Sequence, residues 1–283
     1  MICIRADNPS PLTGPGTNSF LIGGPGGYAL IDPGPDLAAH RAAILAASGG
    51  RIEAILITHP HLDHSEGAQA LAQATGAPIL AFGGAEAGRS PLMQRFVETG
   101  EVGGGEGLDH ALRPDRLLHD GEKVAGSGWA LTVLHLPGHA AGHLCFLDEA
   151  GGAVFSGDLV FDWSTTLISP PDGDLGDYFR SLARLEALAP TTLIPAHGAA
   201  ITTPTARLTE LAAHRRMRSE QILTALAQAP GNATDLAGRI YDIPPALMHA
   251  AARNVLAHLL ALLDQGLVAH EGTLRADTLF HRQ

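Results

Sequence analysis

Apolar residues between positions 1 and 200 form short runs of strand length, and most of these runs end in loops rich in Gly, Pro, His or Asp. Residues 1–34 are typical of strands and a hairpin broken by glycine and proline. The run Ala54-Ile55-Leu56-Ile57 is β-branched enough to be a buried strand. Helices are predicted from Asp36 to Ala47 and from Glu66 to Thr75. This pattern favours sheets flanked by helices.

The periodicity lengthens in the second part of the chain. Ser90 to Asp115 is Gly-rich and predicts a long irregular surface segment, whereas Tyr178 to Leu188 predicts an amphipathic helix. Near Thr203 the pattern changes again, and Thr205 to Ala229 reads as one long helix. We therefore predict two domains, residues 1–204 and residues 205–283.

The second domain has its own pattern. After the break Pro230-Gly231-Asn232, helices are predicted from Ala233 to Ile240 and from Pro245 to Gln265, and a short hairpin from Gly266 to Ala276. Three helices followed by a hairpin resemble a winged helix. Leucines 256, 259, 260 and 263 then require a packing partner, which is either the first domain or a second subunit in a homodimer.

Composition indicates a compact soluble protein. At 283 residues the chain is long enough to bury a substantial core. No apolar run approaches the roughly 18 residues of a membrane span, so no membrane association is expected. The N-terminus lacks the features of a signal peptide, and the two cysteines, Cys3 and Cys145, do not indicate a disulfide framework. We expect a cytoplasmic protein.

Charge is distributed unevenly between the two predicted domains. Residues 1–204 carry 10 basic against 22 acidic side chains, and residues 205–283 carry 8 against 7. An acidic first domain repels nucleic-acid phosphate at long range. The charge therefore argues against tight non-specific nucleic-acid binding.

The segment from Thr58 to His64 places four candidate metal ligands within six consecutive residues: His59, His61, Asp63 and His64. It follows the buried strand and precedes helix-compatible residues, so rigid elements hold it on both sides. Residues two apart in an extended segment point to the same side, which brings His59 and His61 together. An HxH pair alone would carry little weight in a chain with 15 histidines.

Three further strand ends carry residues of the same type. Pro137-Gly138-His139, Ser156-Gly157-Asp158 and Pro195-Ala196-His197-Gly198 each follow a short apolar run. Each also contains a glycine, which permits close backbone approach. Four such loops in one chain favour a metal site over chance.

The order HxHxDH, PGH, SGD and PAHG resembles the metallo-β-lactamase superfamily of dinuclear metallohydrolases. Pro15-Gly16-Thr17-Asn18 and Ile31-Asp32-Pro33-Gly34 are similar to its opening hairpin and first Asp loop. Together with the helical extension, GPGTN is most similar to the lactamase-beta-2-like branch. The resemblance implies an α+β fold, the four-layer αβ/βα sandwich, with a small winged-helix-like C-terminal domain.

The resemblance also implies a set of metal ligands. His59, His61 and His139 would hold one ion, Asp63, His64 and His197 a second, and Asp158 would bridge them. Two Zn²⁺ ions per chain are expected, although these nitrogen and oxygen ligands also suit manganese or iron. A metal-bound hydroxide would attack the substrate, with Asp63 as the catalytic carboxylate that orients the water or accepts its proton.

Other residues are predicted to support the ligands or contact substrate. Asp32 is a candidate to accept a hydrogen bond from a ligating imidazole. His143 either does the same or is a satisfied strand-end histidine. Thr17 and Asn18 either contact substrate or close a turn. Trp163, Thr165 and Thr166 follow Asp158 closely enough to line the pocket, with loop anchoring as the alternative.

Thioesters, phosphodiesters, lactones and lactams are the substrate classes open to such a site. We favour a small acyl thioester, because a cytoplasmic setting and an acidic surface suit it. Single-stranded RNA is the alternative, since the lactamase-beta-2-like branch includes an endoribonuclease. A mononuclear iron dioxygenase would leave Asp63, His64 and His197 without a metal.

A nucleic-acid-binding winged helix with a degenerate catalytic domain is a different class of function. The intact ligand set counts against it. DNA readers usually present several basic residues on the recognition helix, whereas this helix offers only Arg253 and the hairpin only Arg275. A structural, dimerising or substrate-capping role is expected instead.

Overall fold

The computed structural model describes residues 1–98, 103–105 and 107–283. In these ranges the strands form two large sheets and one small one. The first sheet runs in chain order through β1 Ile2–Arg5, β2 Asn18–Gly24, β3 Gly27–Ile31, β4 Ile52–Leu56, β5 Ile79–Ala81 and β6 Arg116–Leu117. The second contains β7 Lys123–Gly126, β8 Trp129–His135, β9 Leu144–Asp148, β10 Ala153–Gly157 and β11 Thr192–Pro195, in the order β11-β10-β9-β8-β7. The small sheet pairs β12 Val268–His270 with β13 Phe280–Arg282.

The helices lie between these strands and in the C-terminal region. They are α1 Ala38–Ser48, α2 Leu62–Ser65, α3 Ala68–Thr75, α4 Pro91–Glu98, α5 Leu175–Ala187, α6 Pro204–Gln228, α7 Ala233–Ile240 and α8 Met248–Asp264. A short 3₁₀ turn, Pro245–Leu247, directly precedes α8.

Alternation along the strands builds a layered core. In β3, Ala29 and Ile31 pack with residues of the second sheet, whereas Tyr28 and Leu30 pack with Ile44 of α1. Successive side chains of a strand point to opposite faces, so each sheet is covered on both sides. Helices α5 and α6 cover the outer face of the second sheet. These four layers confirm the predicted αβ/βα sandwich and its α+β class.

Helix α6 belongs to two cores. Its first part packs Leu208 and Leu211 against the second sheet and α5, and its last part packs Ile222 and Leu226 into a separate C-terminal core. One continuous helix therefore joins the sandwich to the C-terminal region. The division at residue 204 stays a prediction.

The C-terminal core covers the leucines that needed a packing partner. Leu256, Leu259 and Leu260 are fully buried among residues of α6 and α7, and Leu263 packs against the same cluster. Met93 and Phe96 of α4 also join it. The chain itself covers these leucines, so a second subunit is not required for that purpose.

Two predicted segments differ from the structure. The segment Ser90 to Asp115 was expected to be irregular, yet it contains α4, because Met93 and Phe96 supply an apolar face for the C-terminal core; residues 99–102 and 106 lie outside the described part. The predicted hairpin from Gly266 to Ala276 is wrong in its second strand. That strand is β13, whose Phe280 is fully buried and pairs with Gly231.

Other helix bounds shift by a few residues. The helix predicted from Tyr178 begins at Leu175, because the side chain of Asp174 accepts hydrogen bonds from the backbone of Gly176 and Asp177 and caps it. The helix predicted from Glu66 begins at Ala68 and is preceded by the single turn α2.

The segment Pro245–Asp264 is long and apolar enough to cross a membrane by length and composition, with a mean hydropathy of 1.4. Half of that stretch is buried inside the protein, where it forms the centre of the C-terminal core. A core helix passes the same test as a membrane span, so this feature does not indicate a membrane protein.

Candidate metal centre

The predicted ligands come from loops at the ends of strands in both sheets. His59 and His61 follow β4, and α2 carries Asp63 and His64. The other three side chains follow β8, β10 and β11: His139, Asp158 and His197. The structure brings all seven together, in three groups whose donor atoms lie within 4.8 Å of one another.

The first group consists of three imidazoles. His61 Nδ1 lies 2.9 Å from His59 Nε2 and 3.1 Å from His139 Nε2. The rings meet edge to face, at interplanar angles of 81° to 87°. Three nitrogens that converge in this way match one face of a tetrahedral metal site.

The second group combines His64, His197 and Asp63. The Nε2 atoms of both histidines lie 3.3–3.5 Å from Asp63 Oδ2, and each lies 3.4 Å from Asp158 Oδ1. The other oxygen of Asp158, Oδ2, lies 3.8 Å from His139 Nε2 in the first group. The carboxylate of Asp158 thus faces both groups, as a bridging ligand must.

Three buried atoms that could coordinate a metal lack hydrogen-bond partners in the described part of the chain. His64 Nε2, His197 Nε2 and Asp158 Oδ1 are buried and form no hydrogen bond with the described residues. A buried polar atom without a partner destabilises the folded protein unless an ion or another group interacts with it. Imidazole nitrogens and carboxylate oxygens are normal ligands of divalent metals, so the residues fit a metal centre.

Each imidazole is also held through its other nitrogen. A ligating histidine usually has such an outer partner, which fixes its ring orientation and tautomer. The contacts are His59 Nδ1 to Thr58 Oγ1 (3.0 Å), His61 Nε2 to Asp172 Oδ2 (3.4 Å), His64 Nδ1 to Asp32 Oδ2 (2.9 Å), His139 Nδ1 to the Leu167 carbonyl (2.7 Å) and His197 Nδ1 to the Gly16 carbonyl (3.3 Å).

Asp32 is tied to the centre by more than one contact. Besides His64, its carboxylate accepts hydrogen bonds from the backbone N–H and the hydroxyl of Thr58. The residue is 1% exposed and adopts a left-handed backbone conformation, with φ of 49°. A non-glycine residue persists there only when its surroundings hold it. The structure therefore places Asp32 where the sequence predicted a support for a ligand.

Electrostatics divides the histidines into two classes. Burial and the neighbouring His61 lower the pKa of His139 to about 4, and burial also holds the pKa of His59 well below its usual range. Burial also opposes the charged form of His197, but Asp158 and Asp63 outweigh it and raise its pKa to about 9. Burial raises the pKa of Asp63, yet His64 and His197 bring it down to about 2. His59 and His139 are therefore neutral and can donate a ring lone pair to a cation directly. His197 must first lose a proton.

Of the two roles predicted for His143, the structure favours the satisfied histidine over a hydrogen bond to a ligating imidazole. Its Nε2 accepts a hydrogen bond from the backbone N–H of Asp158 at 3.1 Å, and its ring stacks on His59 with centroids 5.1 Å apart. It is fully buried, and burial lowers its pKa well below the usual value. His143 therefore positions the loop of Asp158, and its contact with a ligating ring is by stacking.

Thr17 and Asn18 do not lie on the wall of the pocket, in contrast to the predicted substrate contact. Thr17 is fully buried and bonded to Asn8. Asn18 donates to the backbone carbonyls of Pro195 and Gly198. The side chain of Asn18 therefore holds the loop of His197, and the backbone of Thr17 forms a bridge with His197 itself.

A cavity of about 490 Å³ opens onto the ligands. Trp163, Thr165 and Thr166 line it, as predicted. Thr166 also anchors the centre, since its hydroxyl lies 3.0 Å from His139 Nδ1. The cavity has a second wall that the sequence did not suggest, formed by Tyr241, Ile243, Leu247, Ala250, Ala251 and Asn254 of the C-terminal region.

The sequence analysis missed four of the outer contacts of the imidazoles. Two of them had a local signal, because Thr58 immediately precedes His59 and Asp172 lies in a Pro-Pro-Asp-Gly-Asp turn segment. The carbonyls of Gly16 and Leu167 had none, because any residue supplies a carbonyl.

Comparison with known proteins agrees with this geometry. Residues 12–197 match the metallo-β-lactamase superfamily, and residues 233–277 match the β-lactamase-associated winged-helix domain. The chain belongs to the metallo-β-lactamase superfamily and is a hydrolase of that fold. This confirms the resemblance and the winged-helix interpretation.

Individual relatives cover most of the chain. The β-lactamase-like protein 2 homolog of Drosophila melanogaster is 31% identical over 278 residues, which are 94% of this chain and 88% of that protein. A metallo-β-lactamase family protein of Thermus thermophilus has a solved structure with a TM-score of 0.80 and 27% identity, covering 100% of this chain and 98% of that one.

Two further matches bear on chemistry. A protein of Aspergillus chevalieri named atrochrysone carboxyl ACP thioesterase is 30% identical over 235 residues, 81% of this chain and 66% of that protein. A shorter protein solved in a di-iron-bound form is 31% identical with a TM-score of 0.55, covering 72% of this chain and 96% of that one.

Proposed function

We propose that this protein hydrolyses the thioester bond of a small-molecule acyl thioester, using two divalent ions that the seven candidate ligands would hold. Water is added across the bond between the acyl carbon and sulfur, which yields a carboxylic acid and a thiol. The observation that carries the proposal is the cavity itself, which joins the metal centre to a largely apolar wall. The name of the fungal relative as an acyl-carrier thioesterase supports the same class of substrate.

When bound, two ions lower the pKa of a water molecule and stabilise the negative charge that develops on the carbonyl oxygen. The residues of the chain then have separate tasks. His59, His61 and His139 would hold one ion, His64, His197 and Asp63 would hold the other, and Asp158 would serve both. The relative with a di-iron form supports occupancy by two ions. We propose zinc as the metal, and this set of ligands also accepts iron or manganese.

Asp63 is the carboxylate of the set that is best placed to act on water. Its side chain is 31% exposed and lines the cavity, whereas that of Asp158 is 10% exposed. An aspartate side chain is ionised at neutral pH, so its carboxylate can accept a hydrogen bond from the attacking water. We propose that this contact orients the water toward the thioester carbonyl.

The lining of the cavity favours an acyl substrate over RNA. Among the described lining residues there is no lysine or arginine, and the charged groups are the ligands Asp63 and Asp158 together with their histidines. Proteins that bind nucleic acids use Lys and Arg to neutralise phosphates. Hydrolysis of single-stranded RNA therefore has less support from the site than hydrolysis of a neutral acyl group.

The test is a comparison of substrates on purified protein of known metal content. A panel of acyl thioesters and a labelled single-stranded RNA are incubated with the wild-type protein and with His61→Ala purified in parallel. We expect thioester hydrolysis by the wild type, none by the variant, and no metal-dependent RNA cleavage. Cleavage of RNA without thioester hydrolysis would overturn the proposal.

A further inference from the structure

The cavity at the metal centre has two apolar walls from distant parts of the chain. One contains Leu12 and Trp163. The other contains Ile243, Leu247 and Ala250, which lie at and before the start of α8. The large apolar residues of the first wall are unusually open to solvent, at 57% for Leu12 and 44% for Trp163. Apolar side chains that converge on a cavity mark a binding site for apolar groups.

Trp163 is held as a rigid surface. Its indole packs against Gly14 and Gly198, where an added Cβ would come within 3.1 and 2.7 Å of the ring. Both glycines have positive φ, so neither position readily accepts another residue. Phe161 stacks on the indole at an interplanar angle of 18° and in turn contacts the ring of His197. The aromatic surface thus has a fixed relation to the metal ligands.

The second wall is also fixed relative to the ligands. Asn254 of α8 accepts hydrogen bonds through Oδ1 from the backbone N–H of Ile168 and from Arg215, both at 3.1 Å. Arg215 also donates to the carbonyl of Thr166, a residue in contact with His139. The start of α8 is therefore attached to the loop that supports a ligand, and little ordering is required when a ligand binds.

Building on the proposed function, we infer that the acyl half of the substrate is a large apolar or aromatic group that contacts Trp163 and the wall formed by Ile243, Leu247 and Ala250. The cavity of about 490 Å³ lies within the usual range for small-molecule sites, about 300–1,000 Å³. A small acyl group such as acetyl would leave both walls uncovered. The C-terminal domain thus determines which acyl groups are accepted.

Binding is measured without catalysis. The chain has two tryptophans, and Trp129 is buried in the core, so Trp129→Phe leaves Trp163 as the sole tryptophan reporter. In this background we titrate pantetheine thioethers that carry an ethyl, a hexyl or a naphthylmethyl group, which cannot be hydrolysed. Quenching or a spectral shift of Trp163 fluorescence gives the dissociation constant. We expect affinity to rise from ethyl to naphthylmethyl.

Two alanines in the same segment provide a matched pair of variants. Ala250 lines the cavity, whereas Ala246 is exposed and does not. Ala250→Leu adds volume to the wall, and leucine is compatible with the helix. It should weaken naphthylmethyl binding about 10-fold or more, with less than about 2-fold change for ethyl. Ala246→Leu should leave both values unchanged. The same ranking is then sought in kcat/KM for acetyl-, hexanoyl- and naphthoyl-pantetheine.

The outcomes separate this inference from the proposed function. Equal binding of all three thioethers, or the same profile in Ala250→Leu and Ala246→Leu, would overturn the inference. Hydrolysis of all thioesters at one rate would also overturn it and leave the thioesterase function intact. Graded binding that responds to Ala250→Leu, without hydrolysis of any thioester, would support the apolar site at Ile243, Leu247 and Ala250 and overturn the thioesterase function.

Discussion

Asp158 is the residue on which both groups of ligands depend, since its two oxygens face different imidazoles. His197 belongs to the second group alone. We therefore expect Asp158→Ala to lose more activity than His197→Ala, measured as kcat/KM on the same thioester with metal content determined for each variant. Negligible losses in both variants would show that the assignment of ligands is wrong.

Asp32→Asn tests the residue behind a ligand in the same series. The amide has lost one acceptor oxygen, so it cannot serve Thr58 and His64 together as the carboxylate does. A loss of about 10–100-fold in metal affinity or activity is expected. Asp36→Asn is the matched control, because Asp36 is an exposed carboxylate that pairs with a surface arginine, Arg41. It should behave as wild type.

The convergence of the seven candidate ligands was predictable from sequence, because each lies in a short His-, Asp- or Gly-containing segment directly after an apolar strand. The same holds for Asp32, whose loop follows a strand directly. The inward orientation of Asn18 was not predictable, since it depends on the loop of His197, about 180 residues away in sequence. The second wall of the cavity was missed for the same reason: Ile243 and Leu247 read locally as packing residues of a helix.

At the scale of elements, helices α6 and α8 each bury an ionisable side chain, Arg215 and His258, that the local sequence pattern did not reveal. Arg215 of α6 is 2% exposed, and its bonds go to the neutral oxygens of Thr166 and Asn254, with its guanidinium 5.5 Å from the ring of Tyr178. Periodicity located both helices to within a few residues. It could not indicate which polar residue of a mostly exposed set turns inward, because that depends on the helix packed against it.

His258 of α8 makes the stability of the protein depend on pH. It is fully buried, and burial, followed by the charges of Arg215, Arg218 and His214, holds its pKa well below the usual 6.5. The unfolded chain therefore binds a proton below pH 6.5 that the folded chain does not, and folding is destabilised as pH falls. At pH 5.5 this effect of His258 lowers the free energy of unfolding by about 1.4 kcal/mol.

The measurement compares wild type with His258→Gln by urea unfolding between pH 7.5 and 5.5, values chosen to span the ordinary pKa. The variant loses a hydrogen bond with Ser219, so it starts less stable. As pH falls, its deficit should shrink by about 1.4 kcal/mol, since glutamine does not titrate. The metal ligands titrate equally in both proteins. A constant difference across this range would contradict the prediction.

At the scale of the whole molecule, the ligands of two sheets meet at one edge of the sandwich, which brings more donors together than a single ion uses. Seven ligands exceed the four of a tetrahedral site. We expect two metal ions per chain by elemental analysis, with zinc predominant. Removal by a chelator should abolish hydrolysis, and added Zn²⁺ should restore it. One tightly held iron without a second ion would overturn the dinuclear assignment.

The winged-helix domain is expected not to bind duplex DNA tightly. The arginine of its predicted recognition helix, Arg253, is 7% exposed and donates to Ser169 in the catalytic region. Its side chain is therefore committed to packing between the two regions. Titration of the full-length protein with duplex DNA at two salt concentrations should show weak binding. Sub-micromolar affinity with a slope that indicates about six or more phosphate contacts would favour a nucleic-acid role.

Removal of residues after Thr203 should damage the catalytic region itself. Leu208 and Leu211 of α6 are nearly fully buried against the second sheet and α5, and Arg215 supports the loop of Thr166. A chain that ends at Thr203 would expose this apolar face, and we expect it to aggregate in size-exclusion chromatography. A chain that ends after Gln228 keeps α6 over the sheet but loses the cavity wall of Ile243, Leu247 and Ala250. It also exposes the part of α6 that packs in the C-terminal core. Equal, monomeric behaviour of the Thr203 truncation and the full-length protein would show that the sandwich does not depend on α6.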